Sequence, residues 1–452
     1  MQTEEDAEDK DDRRASNPKD DNTVSEEIKE VGVVPLDGND PLIYSKQVST
    51  PPYSFLDEDA KYNENSPPPC YIPYATLSKP KATVKLDILK GLEINDKGIL
   101  QCTDPQMLEK SKGILTYVIK EIAKCIFTGR GVVGISLPVR IFEPRSALER
   151  VLDGFSFAPE YLNRACKTRD SVERMKLVTA FVVSGMYMRA NPFKPFNPIL
   201  GETLEGKYSD GTKIYMEHTS HHPPISNYLI EGPKDAPYTF HGNNEFVGNI
   251  KSRGNILNIL FKGPNTITFP DGEEITFYNH TNKVKGLLSG AKLISMDSIL
   301  TVVNEEKGLK TAIFMEPKAK EVQDDEDPNY FEGVLYYSDG TPWKKDPDMI
   351  SKISDLDEEI CTIHGSWLDY LKIDEEDYWD IDTKTPSRVQ FLKKSLPSDH
   401  RYREDLIWLF YENEKYAQEW KTKLEVQQRK EKKNRKTAEN KRKKNIKFVS
   451  KF

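Results

Sequence analysis

The chain has little of what marks a secreted, membrane-spanning or metal-binding protein. Its first twenty residues are acidic rather than apolar, and no apolar run among its 452 residues approaches the length that crosses a bilayer. Its five cysteines are scattered and odd in number, and no Cys-x-x-Cys pair offers the spacing of a zinc site. We therefore expect a cytoplasmic protein with reduced thiols and without a metal or other cofactor, which meets membranes only at their surface.

The sequence also lacks the signatures of common hydrolases. It contains no Gly-x-Ser-x-Gly turn, no cysteine-based phosphatase loop and no cluster of metal ligands. We therefore expect a binding protein rather than an enzyme.

Charged residues make up 31% of the chain, and they are unevenly distributed. Residues 1–30 hold twelve acidic and five basic side chains, whereas residues 421–452 hold fourteen Lys or Arg and three Glu. The formal net charge of −8 therefore conceals a basic segment that can bind anionic membrane surfaces or nucleic acid. We expect no nucleic acid partner, because no aromatic residue interleaves the basic ones before Phe448 and no nucleic-acid-binding motif is present.

The chain is expected to divide into four segments. Residues 1–105 are acidic and Pro-rich and are expected to form a disordered extension. Residues 106–136 are predicted to form a lid, residues 137–435 a barrel domain with a C-terminal helix, and residues 436–452 a basic tail. Within the extension, residues 55–60 place an aromatic residue among acids. This run is similar to a motif that docks on receptors of the endoplasmic reticulum, which makes such a receptor a weak candidate partner.

The predicted lid contains an amphipathic helix. Ile114, Val118 and Ile122 recur every four residues, which places them on one helical face. Such a stripe more often belongs to a core helix, and the alternative is a movable cover over an apolar cavity. Three glycines between residues 129 and 134 would provide the flexible joint that a cover needs.

Residues from about 145 to 190 are predicted to be helical, with helices at Ser146–Leu152 and Val172–Met188. Beyond this region, apolar residues alternate with a period of two. Asp-Gly pairs at positions 210, 271 and 339 separate these runs, and each predicts a tight hairpin turn. Successive strands without intervening helices form a meandering antiparallel sheet, and a long sheet of this kind tends to close because open edges are a liability. We therefore predict an α+β, mainly β fold: a large antiparallel barrel with room for a ligand, flanked by helices.

Two adjacent histidines, His221 and His222, form the most distinctive motif, followed by two prolines. Each proline fixes φ and pushes the residue before it towards extended geometry, so His222 is expected to be held in place. Most histidines are surface or structural residues, and adjacent residues on a strand point to opposite faces. An irregular corner could instead turn both imidazoles towards one anion. A general acid or base of a phosphoinositide hydrolase is a further alternative.

Two other runs are candidates for binding an anion. Three prolines restrain a polar loop that presents Lys194 and Asn197. Near the C terminus, Lys421, Glu425 and Arg429 share one helical face, although this spacing more often marks a solvated stripe of ion pairs.

Together these runs resemble the oxysterol-binding protein-related family of lipid transfer proteins. The resemblance covers residues from about 110 to 435, and the motifs occur in the family's order. His218 departs from the family pattern, which usually has Gln there. The runs that carry the resemblance are Leu137–Val139, Glu143–Ser146, Lys194–Glu202, Glu217–Pro224, Leu396–Asp399 and Lys421–Arg429.

The resemblance implies an incomplete β-barrel that encloses a hydrophobic lipid tunnel under an N-terminal helical lid. It also implies that phosphatidylinositol 4-phosphate is a ligand. The strong charge-assisted bonds that Lys, Arg and His make with a phosphomonoester agree with this ligand. The implied headgroup residues are Lys194, Asn197, His221, His222, Lys421, Glu425 and Arg429, with Glu425 orienting the basic pair.

The second lipid is expected to be phosphatidylserine rather than sterol, because the runs around Lys194 and His221 look closest to the phosphatidylserine-exchanging yeast branch. In that branch a leucine at the joint of lid and barrel contacts the lipid, and it matches Leu137. Ser252 matches a residue that reaches the serine headgroup. We expect a cytosolic transfer protein, peripheral at membranes such as endoplasmic reticulum contact sites, that carries one lipid at a time. A phosphatidylinositol 4-phosphate/sterol exchanger and a lipid sensor without transfer remain alternatives.

Overall fold

The computed structural model describes residues 91–111, 136–190, 193–252, 255–286, 292–315, 327–338, 359–392 and 395–449, together with Gly113, Ile114, Tyr117 and Lys120. The chain divides into two units. The smaller unit comprises Met1–Ser54 and Gly113–Leu137, and the larger comprises Phe55–Lys112 and Pro138–Phe452. The strands and helices named below belong to the larger unit.

Most of the larger unit is β-structure. Within the described residues, eighteen strands form one sheet, and β3 and β4 form a small parallel pair. The strands are β1 Leu92–Ile94, β2 Leu100–Cys102, β3 Phe142–Ser146, β4 Lys194–Phe196, β5 Thr203–Lys207, β6 Lys213–His221, β7 Pro224–Glu231, β8 Thr239–Lys251, β9 Ile256–Lys262, β10 Asn265–Thr268, β11 Glu274–Tyr278, β12 Thr281–Lys285, β13 Leu293–Asp297, β14 Ile299–Asn304, β15 Leu309–Met315, β16 Tyr330–Tyr337, β17 Glu359–Ser366, β18 Tyr370–Ile373, β19 Glu376–Asp380 and β20 Gln390–Phe391.

The helices lie before the main run of strands and at the C-terminal end. The α-helices are α1 Pro105–Ser111, α2 Ala147–Asp153, α3 Ala158–Lys167, α4 Ser171–Ser184, α5 Glu404–Phe410 and α6 Glu414–Val449, with 3-10 turns at Val139–Ile141, Tyr187–Arg189 and His400–Tyr402. Ser146 caps α2 by accepting a hydrogen bond from the backbone N–H of Leu148. Asp170 caps α4 in the same way. The helices predicted near residues 146–152 and 172–188 are therefore confirmed.

The large sheet is antiparallel and divides at β8. This thirteen-residue strand pairs with β7 on one side. On its other side, the first residues pair with β10 and the last with β9. One branch then runs through β10, β11 and β14–β19, and the other through β9, β12, β13, β2 and β1. Within the described ranges no pairing joins β19 to β20 at the opposite edge, so the barrel is not closed.

Two of the three Asp-Gly pairs form the predicted hairpin turns. Gly211 connects β5 to β6 and Gly272 connects β10 to β11, with φ angles of 97° and 88°. These angles belong to the left-handed region that glycine enters without steric cost. The third pair, at positions 339–340, lies outside the described residues.

Helix α4 fills one half of the concave sheet. Residues Leu177–Val183 are all buried, and α4 packs against β14, β15, β18 and β19. Phe181 of α4 lies 5.6 Å from Phe240 of β8 and 6.2 Å from Phe277 of β11, measured between ring centroids. This half of the interior is therefore a packed core rather than an open space.

The inner face of the other branch is apolar but less covered. Phe246 of β8 is on the same face of its strand as Phe240, and its ring lies 5.9 Å from that of Phe261 on β9. Phe246 is 44% exposed. Leu257 and Ile259 of β9 and Val284 of β12 line the same face and are half-buried. We call this surface, defined by Phe246, Leu257, Ile259, Phe261 and Val284, the apolar wall.

The prediction that residues 1–105 are disordered is wrong for residues 91–105. β1 and β2 pair with each other, and β2 also pairs with β13. Leu100 and Cys102 are buried as a result. Three-residue strands have too little local pattern to be recognised, and they are stabilised by a partner strand almost two hundred residues away. At the other end, the predicted basic tail continues α6 to Val449.

Candidate anion-binding site

The two adjacent histidines lie where β6 turns into β7. β6 ends at His221, β7 begins at Pro224, and the His222–Pro223 peptide bond is cis. The rings of His221 and His222 have centroids 4.9 Å apart and are nearly perpendicular, at 78°. His221 is half-buried and His222 is exposed. The two imidazoles therefore share one corner of the sheet, as an irregular turn permits.

Burial and positive neighbours lower the pKa of His221. Burial is the largest cause, followed by His222 and then by Lys432 and Arg435 of α6. Both residues of α6 are therefore close enough to act on the imidazole electrostatically. His221 is neutral at pH 7 under these conditions, and an anion at this corner would favour its protonated form.

A second cationic group lies at Lys194. Its ammonium donates a hydrogen bond to Oδ1 of Asn197 at 2.6 Å and to the carbonyl oxygen of Pro195 at 3.1 Å. Lys194 Nζ lies 4.7 Å from the centroid of the Phe142 ring, and Lys421 Nζ lies 5.5 Å from the same centroid. Two ammonium groups from residues more than two hundred positions apart therefore lie close to one aromatic ring.

This convergence is electrostatically unfavourable in the absence of an anion. Burial, Lys421 and Arg403 together lower the pKa of Lys194 to about 7, whereas Glu143 and Glu425 oppose the effect. A fold that holds two lysines close to one aromatic ring, with carboxylates that only partly offset their repulsion, is suited to binding an anion.

Of the three candidate residues on α6, which are Lys421, Glu425 and Arg429, Lys421 is the most buried. Its side chain is 8% exposed, and it pairs with Glu425 at 2.5 Å. Glu425 also faces Arg429, with 3.9 Å between the nearest oxygen and nitrogen atoms. The Arg429 side chain is 62% exposed, so it can move towards a ligand.

Helix α6 lines both cationic groups. Positions 421 and 432 are eleven residues apart, which corresponds to about 16 Å along the helix axis. The cations therefore form an elongated surface, suited to an anion with more than one charged group rather than to a single small ion.

Arg403 supports the loop that presents Lys194, and sequence reasoning did not identify it. Its guanidinium donates hydrogen bonds to the carbonyl oxygen of Asn197 at 2.7 Å and to Glu202 at 2.9 Å, and it pairs with Asp405 at 2.9 Å. These carboxylates raise the pKa of Arg403. Glu202 also accepts a hydrogen bond from the Ser146 hydroxyl. A single arginine two hundred residues from the loop carries no local signal that could have revealed this contact.

The structure places the predicted headgroup residues in two groups along α6. Lys194, Asn197, Lys421 and Glu425 form one group, and His221 and His222 form a second beside α6, with Arg429 exposed between them along the helix. The sequence did not single out Phe142, Arg403, Lys432 and Arg435, which complete these groups.

The predicted second-lipid residues belong to different parts of the chain. Ser252 is exposed at the end of β8, seven residues beyond the position that pairs with Ile225, or about 23 Å along the strand. In the smaller unit, Leu137 is half-buried, and Ile114 and Tyr117 are helical. The Tyr117 hydroxyl donates a hydrogen bond to the carbonyl oxygen of Ser136 at 3.0 Å. Val118 and Ile122 lie outside the described residues.

Two features are absent from the described residues. No helix there is both long and apolar enough to cross a membrane. No group of three or more His, Cys, Asp or Glu side chains there is arranged to hold a metal ion.

Comparison with known proteins places the chain in a family. The model of the oxysterol-binding protein family matches residues 119–451. Oxysterol-binding protein 9 of Dictyostelium discoideum is 33% identical over 76% of this chain and 83% of its own length. Human oxysterol-binding protein-related protein 5 is 30% identical over 43% of this chain, but only 22% of its own length is matched. The chain therefore belongs to the oxysterol-binding protein family, whose members are lipid-binding and lipid-transfer proteins.

Solved structures of this family have the same fold. The Osh3 ORD in complex with PI(4)P, from Saccharomyces cerevisiae, is 22% identical, with a TM-score of 0.55 over 72% of this chain and 84% of that one. The Osh1 ORD domain in complex with cholesterol is 23% identical, with a TM-score of 0.54 over 68% and 76% of the two chains. At this level of identity the comparison establishes the fold, a mainly antiparallel sheet with helices.

Proposed function

We propose that this protein carries phosphatidylinositol 4-phosphate between membranes and exchanges it for phosphatidylserine, one lipid at a time, without making or breaking a covalent bond. The observation that carries the proposal is that Lys194 of β4 and Lys421 of α6 both lie close to the Phe142 ring, and that later turns of α6 bring Lys432 and Arg435 near His221.

The headgroup assignment follows from charge and shape. Phosphatidylinositol 4-phosphate has two phosphates on one inositol ring, a phosphodiester and a phosphomonoester that carries close to two negative charges at neutral pH. Two cationic groups along α6 match this arrangement. Binding would restore the charge on Lys194 and His221, because an anion stabilises the protonated form of each. The Osh3 ORD structure in complex with PI(4)P is consistent with this ligand.

The apolar wall provides a surface for the acyl chains. Each methylene group exposed to water costs about 0.8 kcal/mol, so a carrier must cover the chains during transport. The half-buried side chains of the wall are suited to this contact. We propose that the residues around Ile114 and Leu137 act as the lid that completes the cover.

Sterol is the alternative second ligand. The Osh1 structures with cholesterol and with ergosterol favour it by relationship. The sequence runs around Lys194 and His221 favour phosphatidylserine. Either lipid would compete with the phosphoinositide for the wall, and a phosphoinositide gradient would then drive the second lipid uphill.

Helix α6 and its basic end are proposed to dock the protein on anionic membranes. Each Lys or Arg near such a surface contributes about 1 kcal/mol. We propose that the protein is cytoplasmic and acts peripherally, for instance at contact sites of the endoplasmic reticulum, where the acidic run at residues 55–60 is a candidate for receptor binding.

Extraction from liposomes tests the headgroup site. Replacing His221 and His222 with Ala is expected to abolish extraction of phosphatidylinositol 4-phosphate and to spare the second lipid. Ala at His241, an exposed histidine of β8, is the matched control. Unchanged extraction by the double variant would contradict the headgroup assignment. Mass spectrometry of copurifying lipids would separate phosphatidylserine from sterol, and recovery of neither would contradict the exchange.

A further inference from the structure

A third histidine lies beneath the two at the corner. His218 of β6 is only 2% exposed. Its Nδ1 is 3.0 Å from the Ser226 hydroxyl of β7, and its Nε2 is 3.3 Å from Nδ1 of His221. The His218 and His221 rings are nearly perpendicular, at 85°, with centroids 5.6 Å apart. Ser226, His218 and His221 therefore form a chain of hydrogen bonds that leads from the sheet to the cationic corner.

A strand irregularity makes this contact possible. Residues 218 and 221 would point to opposite faces of a regular strand, because side chains alternate with a period of two. The pairing of β6 with β7 shifts register between His218 and Ser220, so that one extra residue is accommodated there. Such a bulge re-aims the side chains that follow it. Here it turns His221 to the same side as His218.

We propose that His218 is a positioning residue for phosphate recognition: it holds Nδ1 of His221 and thereby directs Nε2 of His221 to the ligand. The proposal rests on the function proposed above. It adds that the hydrogen-bonded pair, rather than His221 alone, determines how strongly a phosphorylated headgroup is held.

The pair suits a change of protonation at His221. When His221 is neutral, Nε2–H of His218 can donate to Nδ1 of His221, with the Ser226 hydroxyl donating to Nδ1 of His218. When a phosphate dianion induces His221 to take a proton from water, Nδ1–H of His221 donates instead, and His218 accepts at Nε2 while its own Nδ1–H donates to Ser226. His218 can serve in both states because its two ring nitrogens exchange donor and acceptor roles.

This exchange requires that His218 remain neutral throughout. Burial lowers the pKa of His218 to about 4, and His221 and Arg403 contribute in the same direction. The groups that face His221 are His218 and His222 from its own hairpin and Lys432 and Arg435 from α6. His222, Lys432 and Arg435 disfavour a positive charge on His221, so the ligand must supply the negative charge that favours its protonation.

Three variants test the role of His218 in extraction of phosphatidylinositol 4-phosphate between pH 5.5 and 8. His218→Leu is expected to weaken extraction about tenfold, the effect of losing one hydrogen bond to a charged group. His218→Gln is expected to recover most of the loss, because its amide can also donate or accept. His241→Leu, on an exposed residue of β8, is expected to behave as the wild type, and extraction of the second lipid should be unaffected by all three. A Leu variant equal to the wild type, or a Gln variant no better than a folded Leu variant, would overturn the proposal.

Histidine-selective ¹⁵N NMR gives a readout that does not depend on transport. With a soluble short-chain phosphatidylinositol 4-phosphate, the His221 ring is expected to become protonated while the His218 ring stays neutral above pH 5. Titration of His218 in that range would refute the positioning role.

If His218→Leu does not fold, Ser226→Ala provides a second test. This variant removes the far end of the chain of hydrogen bonds, and it should weaken extraction by a smaller factor than His218→Leu. An unchanged affinity in that variant would also count against the proposal. Failure of the wild type to bind the phosphoinositide would overturn the proposed function itself, whereas normal wild-type binding with unchanged variants would overturn only the inference about His218.

Discussion

Replacing Lys194 with Met is expected to stabilise the unliganded protein while removing its affinity for the phosphoinositide. Burial and the nearby Lys421 and Arg403 lower the pKa of Lys194 from its ordinary value of 10.5 to about 7. Each pKa unit corresponds to about 1.4 kcal/mol, so the full difference would be about 5 kcal/mol at most. Because the side chain is half-buried and the loop can relax, we expect a gain of about 2 kcal/mol in the free energy of unfolding at pH 7.

The lowered pKa of Lys194 also makes the free energy of unfolding depend on pH. Between pH 7 and pH 10 the unfolded chain holds a proton on Lys194 that the folded protein has released. Stability of the wild type therefore rises with pH in this window, by up to about 1.4 kcal/mol per pH unit relative to Lys194→Met. Below pH 7 the folded protein is protonated as well, and the difference between the two proteins becomes constant.

Urea unfolding of both proteins at pH 7, 8 and 9 measures this difference. Lys213→Met, at an exposed position of β6, is the control for loss of a lysine. Addition of a short-chain phosphatidylinositol 4-phosphate should stabilise the wild type and leave the Met variant unchanged. Parallel stability profiles for the wild type and Lys194→Met would refute the reasoning, since they would mean that Lys194 has an ordinary pKa in the folded protein.

Two further predictions concern the support of the site and the lid. Arg403→Gln should lower the free energy of unfolding by about 3 kcal/mol, because it leaves the buried carboxylates of Glu202 and Asp405 without their cation. Calorimetry measures this loss, with Lys213→Gln at an exposed position as the control. A loss of stability smaller than that of Lys213→Gln would contradict the prediction. Leu137→Asp should slow transfer of the lipid that lies against the proposed lid, with Leu137→Met as the control. If the Asp variant transfers both lipids at the wild-type rate, Leu137 does not contact the lipid.

Local sequence patterns predicted the elements but not the sheet's topology. The Asp-Gly turns at residues 210 and 271, the helices near residues 146 and 172, and the C-terminal helix all have signals within a few residues of one another, because capping and turn conformation are local properties. The division of the sheet at β8 has no such signal. It depends on which strands find partners across more than a hundred residues, and β1 and β2 were missed for the same reason.

The candidate site was predictable as a set of residue types and not as an arrangement. Motif resemblance identified Lys194 and Lys421, yet only the structure shows that Phe142 lies beneath both. Arg403 has no motif to reveal it, and its role became visible through its bonds to Asn197 and Glu202. His218 could be read from the sequence only as a departure from the family pattern.

By itself, the sequence determined which cations, prolines and paired histidines are present. It also determined that a long antiparallel sheet carries them, because composition and short-range spacing specify turns, caps and strand periodicity. The tertiary structure decided which charges face each other. Electrostatic coupling depends on the separation and burial of groups that the chain brings together from positions hundreds of residues apart. That is why the low pKa of Lys194 and the hydrogen bond between His218 and His221 emerged only from the folded protein.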